Sequence, residues 1–161
     1  MKIDKRRRIE GKTDYRRRLI LLKSDLPRLV VRKTNRYLIL QIVETKSAQD
    51  KILFSVTSKD LIEHGWPEAS SGSLKSLTAG YLAGFLLGKK AKMNKELILD
   101  IGLNPSTKAG RIYAVVKGIS DSGLKIRHDK EVLPTLEQIE TNSNIDKQVF
   151  NKIKEAINHA K

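Results

Sequence analysis

The chain has no cysteine, which excludes disulfides, thiolate catalysis and cysteine-ligated zinc together and fits a reducing, cytoplasmic compartment. Aromatic residues make up only 5% of the 161, too few for the base-stacking sheets of the cold-shock or RRM kind. Long apolar runs are missing as well. The longest, Leu77 to Leu87, has 11 residues and contains Gly80 and Gly84, so it cannot span a bilayer as a helix. The charged start MKIDKRRRIE leads into no apolar stretch of leader length, so no secretory signal and no membrane contact are expected. His64, His128 and His159 are far apart, and none stands at i, i+4 from another, so neither a metal site nor a cofactor is expected. The scarcest class relative to its counterpart is acid: 18 Asp and Glu against 32 Lys and Arg, a net charge of +14.

That excess is concentrated at one end. Through Arg36 there are 14 basic residues and 4 acidic ones, so +10 of the +14 sits in the first 36 residues and the remainder reads as a nearly ordinary domain. A polyanion is the implied partner. A charge run alone can be no more than a solvated tail. A tail, however, gains nothing from Thr13, Tyr15 and the run Leu19 to Leu22, whereas an arm ordered on folded RNA needs both charge and a docking face. Repulsion within the arm, set against so little apolar surface, predicts that residues 1 to about 14 order only along RNA.

Periodicity predicts the rest of the order. Thr13 or Asp14 caps a helix to about Ser24, ended by Pro27. Arg28 to Lys33 and Arg36 to Glu44 read as strands around a Thr34-Asn35 turn, and Asp50 to Ser58 as a third strand of an antiparallel meander. A short helix is expected over Ser58 to His64. A core-facing helix follows over Ser73 to Lys90, then a buried strand over Glu96 to Leu103. The helix between strands implies a parallel crossover strand. Ile112 to Ile119 marks an amphipathic helix ended by Gly123, Leu124 to Thr141 reads as extended and irregular, and Ile145 to Ile157 marks a last helix. The expected fold class is α/β: a mixed sheet made of a three-strand meander plus a parallel crossover strand, covered by helices, with a basic N-terminal arm and a C-terminal helical appendage. The corresponding divisions are 1–26, 27–124 and 125–161.

Several patterns suggest chemistry and fail on their surroundings. Gly11-Lys12-Thr13 ends like a phosphate-binding loop, but the glycine required five positions before Gly11 is Arg6, so Thr13 reads as a cap or turn residue. Asp100, at the end of a buried strand, is the best single catalytic candidate. A two-metal nuclease needs several converging carboxylates, and the first strand carries Arg28 and Arg32 instead, so Asp100 reads as a local cap or pair and its replacement by Asn should cost little stability. Trp66, Tyr81 and Phe85 read as core, while for Tyr15 packing and RNA contact stay equally open. The stripe Gly80, Gly84 and Gly88 predicts a close approach of backbone, most simply to the sheet.

The segment Arg6-Arg-Arg-Ile-Glu-Gly-Lys-Thr-Asp-Tyr-Arg-Arg-Arg-Leu, with Leu21-Leu-Lys-Ser and Pro27-Arg-Leu-Val-Val-Arg-Lys-Thr-Asn, closely resembles one family. This is the 5S rRNA-binding large-subunit ribosomal protein family numbered eighteen, in its archaeal and eukaryotic form. The resemblance continues through His64-Gly-Trp, Ala79-Gly-Tyr-Leu-Ala-Gly and Leu99-Asp-Ile-Gly-Leu to Asp121-Ser-Gly-Leu. It implies a ribonuclease-H-like topology without nuclease activity and a structural place in the central protuberance. The implied partners are 5S rRNA, the large-subunit rRNA and neighbouring proteins including large-subunit protein five. The RNA-binding residues it implies are Arg6, Arg7, Arg8, Lys12, Thr13, Asp14, Tyr15, Arg16, Arg17, Arg18, Lys23, Arg28, Arg32, Lys33, Asn35 and Arg36, and Lys5 of the same basic run is a further candidate. A free-standing chaperone for structured RNA and a metal-dependent RNA-processing enzyme are the rival functions.

Overall fold

A computed structural model of the chain describes residues 5–46, 49–141 and 145–159; Lys2 and Asp4, counted above in the charge of the arm, lie outside the described residues. Two short helices come first, α1 (Arg6–Ile9) and α2 (Tyr15–Leu22). Asp14 starts the second: its carboxylate accepts the N–H groups of Arg16 and Arg17 at 3.0 and 3.1 Å, satisfying donors that a helix start leaves open. Neither helix buries a residue.

The chain then folds back and forth as β1 (Arg28–Lys33), β2 (Leu38–Lys46) and β3 (Gln49–Thr57), all antiparallel as the alternation predicts. The turn between β1 and β2 is closed by Thr34, whose N–H and hydroxyl both donate to the Tyr37 carbonyl, at 2.9 and 2.6 Å. A 3-10 turn over Ser58–Ile62 and another over Glu68–Ser73 lead to α3 (Leu77–Lys90), which starts later than the expected Ser73 because Ser76 supplies the cap to Ala79. β4 (Ile98–Asp100) pairs parallel with β1, so the sheet order is β3-β2-β1-β4 and the crossover strand is where the sequence predicts it.

β4 is shorter than the Glu96–Leu103 span expected. At one end Leu97, just before β4, pairs in a single parallel bridge with Ile126, and at the other Asp100 bends the chain back by accepting the N–H of Gly102 at 2.9 Å. Next come α4 (Arg111–Asp121), a 3-10 turn over Lys130–Val132, α5 (Leu136–Thr141) and α6 (Lys147–His159). α5 corrects the expectation that everything from Leu124 to Thr141 is irregular.

Leu29, Val31, Leu38, Leu40, Ile42 and Val56 form the buried side of the sheet, and α3 packs on it. α3 is buried from Thr78 to Gly88 because α4 lies against it as closely as backbones allow. A Cβ on Gly84 would overlap the Val115 carbonyl, and one on Gly118 would overlap that of Tyr81. Gly84 and Gly88 therefore serve a helix–helix contact rather than the helix–sheet contact expected, while Gly80 meets both α4, at Arg111, and the sheet, at Leu38. Phe150, Ile153 and Ile157 bring α6 onto α3, where the Phe150 ring stands 5.8 Å from that of Tyr81. Burial, reinforced by the neighbouring Asp121 carboxylate that accepts its hydroxyl at 3.0 Å, pushes the Tyr81 phenol well above its usual range.

Candidate nucleic-acid interface

Opposite its packed face the sheet carries charge, and strand register dictates how. Val30 stands beside Asp100 across the parallel pair, so the carboxylate falls between Arg28 and Arg32, the residues flanking Val30 on that same face. Arg28 Nη1 donates to Asp100 Oδ2 at 3.0 Å, and Arg32 Nη2 donates to Oδ1 at 3.0 Å. Arg28 Nη2 reaches the other way, to Asp50 Oδ1 at 2.9 Å and to the Thr45 hydroxyl at 3.1 Å. Arg18 of α2 closes the series on Asp50 Oδ2 at 2.7 Å. The result is an alternating row, Arg18, Asp50, Arg28, Asp100, Arg32, that ties the arm to three strands. Burial works to raise the Asp50 carboxyl, but the Thr45 hydroxyl and the Arg28 and Arg18 guanidiniums outweigh it and hold the group below the usual aspartate range.

This row bears on two expectations from sequence. Arg28 is 3% exposed, so it presents no surface to an outside phosphate, and its place among the RNA-contact candidates does not fit its burial. Asp100 is likewise buried, with both oxygens engaged by guanidiniums and Gly102, in agreement with the pairing role rather than catalysis. Among the described residues no group of three or more His, Cys, Asp or Glu side chains stands ready to hold a metal.

The remaining candidates lie at the surface. In α1 and the turn after it, Arg6 and Lys12 both bond Glu10, at 2.7 and 2.8 Å, which holds the Glu10 carboxyl below its usual range, Lys12 contributing most. Arg7 Nε donates to the Thr13 hydroxyl at 2.8 Å, so Thr13 positions a guanidinium. Tyr15 is half-buried, with the Lys5 ammonium 4.7 Å from its ring centroid. Arg8, Arg16, Arg17 and Lys23 are exposed, and Lys33, Asn35 and Arg36 stand exposed around the β1–β2 turn.

The structure brings Arg7, Lys12, Thr13, Asp14, Arg17 and Arg18 of the arm together with Arg32 of β1 around one groove of about 560 Å³. Its other lining was not anticipated: Ile20 and Leu21 of α2, and Leu99, Ile101, Leu103 and Asn104 on and after β4. The Leu19–Leu22 run signalled an apolar face on the arm, but nothing local placed the chain after Asp100 across from it. Ile20 and Leu103 are 63% and 57% exposed. Within the groove Arg32 is held in one plane. Its Nη1 donates to the carbonyls of Val31 and Asp100 at 3.0 and 2.9 Å, and Gly102, at φ +60, lies flat against it: a Cβ there would stand 3.0, 3.1 and 3.3 Å from Cζ, Nη1 and Nε.

Comparison with known proteins gives a consistent result. The family described as ribosomal large subunit proteins 60S L5 and 50S L18 matches residues 1–97. The chain is 47% identical over 140 residues to a protein of Korarchaeum cryptofilum named large ribosomal subunit protein uL18, covering 86% of this chain and 70% of that one. Proteins of the same name from Methanosphaera stadtmanae and Methanoregula boonei are 46% and 41% identical over 136 residues, each covering 83% of this chain and, respectively, 68% and 76% of the relative.

Proposed function

Since the chain belongs to the family of large-subunit ribosomal proteins 60S L5 and 50S L18, and so is a structural constituent of the large ribosomal subunit, we propose that it binds 5S rRNA and anchors it to the large rRNA in the central protuberance. The observation that carries this reading is the arm. α1 and α2 bury no side chain, yet Arg7, Arg17 and Arg18 of these helices are tied to neighbouring side chains and converge with Lys12 and Arg32 on one groove. A segment that gains so little from its own fold is explained by a polyanion that completes it.

The arm, 1–26, is the main contact with 5S rRNA; the β1–β2 turn, with Lys33, Asn35 and Arg36, extends it, and large-subunit protein five is the neighbouring protein. Recognition rests on phosphates, 2′-hydroxyls and shape, because the deep major groove of helical RNA admits side chains poorly. Strand order β3-β2-β1-β4 with a parallel last pair supports a ribonuclease-H-like topology for 27–124, and the guanidiniums around Asp100 support the absence of its chemistry.

The test is a gel-shift series with 5S rRNA against transfer RNA over a range of salt. Tight, saturable binding of 5S rRNA alone is expected, with a log–log salt slope of about −5 to −7 if on the order of 8 phosphates are neutralised. Equal affinity for transfer RNA, or a flat salt response, would overturn the reading.

A further inference from the structure

We propose that the groove between α2 and the turn after β4 takes one unpaired nucleotide of the bound RNA, its base stacked on the guanidinium of Arg32 and its phosphate held by Arg7 and Arg17. The inference rests on the RNA-binding reading above and names what occupies that site. Three observations carry it.

The first is the state of Arg32. One face of its guanidinium lies on Gly102, and its Nη atoms are engaged by Asp100 and Val31, yet 41% of the side chain remains exposed along the groove. With three of its five N–H donors already used within the protein, what it offers along the groove includes its second face. A phosphate is best met by the N–H edge of a guanidinium, whereas a planar base is met by the face.

The second is the mixed lining. Ile20 and Leu103 leave more than half their surface to solvent beside cations, an arrangement that suits a ligand with an apolar plane and an anionic edge. A bare phosphate backbone would leave those side chains wet. An acidic peptide would meet the cations but would gain little from a fixed guanidinium plane.

The third is size. About 560 Å³ lies within the roughly 300–1,000 Å³ typical of sites that hold small organic ligands, room enough for one everted nucleotide.

The experiment compares Arg32→Lys, which keeps the charge and removes the plane, with Leu103→Ser, which removes an exposed wall at little cost to folding. Affinity for 5S rRNA and its salt slope are measured, and the RNA is probed with dimethyl sulfate and a 2′-hydroxyl acylating reagent. Each variant should lose affinity about fivefold or more with an unchanged salt slope, because stacking and not phosphate neutralisation is lost. One unpaired nucleotide protected by the wild type should become reactive in both complexes. Wild-type affinity and protections in both variants would overturn the inference while leaving 5S rRNA binding intact. Should Arg32→Lys fail to fold, Leu103→Ser decides alone by the same readouts. No saturable binding by the wild-type chain would overturn the function and the inference together.

Discussion

The arm and the α3–α4 pair are both helical, and they are stabilised in opposite ways. α3 is buried from Thr78 to Gly88, and its glycines let α4 approach until main chains touch, so its order comes from packing that the folded chain supplies itself. α1 and α2 have 4 and 8 residues, bury nothing, and set guanidiniums side by side. Helices that short are marginal in water without a packed face. A helix designed against its own chain thus looks different from one designed against a partner: the first spends its sequence on small and apolar residues at fixed spacing, the second on caps and charge.

The strongest way to break this comparison is to remove the arm. A chain lacking residues 1–24 should lose at least about a thousandfold in 5S rRNA affinity, the difference between specific and non-specific contact, while its melting cooperativity persists. Retained affinity would mean that the body, not the arm, holds the RNA. Asp100→Ala probes the opposite region. It leaves the buried Arg28 with only Asp50 and Thr45, and stability should fall by about 3 kcal/mol in a denaturant titration, with no metal-dependent RNA cleavage in either protein. That is a larger cost than sequence alone suggests for this position, since only the fold reveals that its partner is buried. A loss below about 1 kcal/mol would mean that Arg28 finds water when its partner goes.

How far the sequence is legible follows the same division. The meander, the parallel last strand, the Asp14 cap and the apolar face of α4 all repeat locally with period or punctuation, and each is found within a few residues of its expected place. α5 was missed: Thr135 and Gln138 form the reciprocal cap characteristic of a helix start, each side chain bonding the other's main-chain N–H, but the helix lies in a stretch with little apolar period. What could not be read is whatever depends on pairs distant in sequence. Arg28 and Arg32 are identical in type and four apart, yet one is buried between two carboxylates and the other opens onto the groove. The register with Asp100, 72 and 68 residues away, decides which is which. The partner of the glycine stripe is hidden for the same reason, because Gly118 belongs to another helix.

Smaller effects sharpen the contrast. Gly118→Ala forces a methyl into the Tyr81 carbonyl and should cost about 1–3 kcal/mol in stability with RNA affinity per folded molecule unchanged. A neutral outcome would show that α3 and α4 can slide apart. Amide exchange on the free protein should place the opening free energy of residues 6–12 below about 1 kcal/mol, against near-global protection for α3, since the arm buries nothing. Strong protection of those amides without RNA would show that the arm folds by itself.

The smallest effect lies where the two regions join. Arg18 reaches the sheet through Asp50, whose carboxyl is held below its ordinary value of about 3.9 by Thr45, Arg28 and Arg18 despite its burial. A group lowered on folding contributes stability that is complete above its unfolded value and disappears as pH falls through its folded one. Asp50→Asn should therefore cost about 1 kcal/mol or less at pH 7, with the pair one-third open to solvent, and the gap to the wild type should close as pH drops below about 4. Exchange in α2 should rise along with it, because protonation frees Arg18 from the sheet. A gap between the two proteins that stays constant down to pH 2 would assign the contribution of Asp50 to its hydrogen bond with Thr45, and the arm would then be joined to the body by shape rather than by charge.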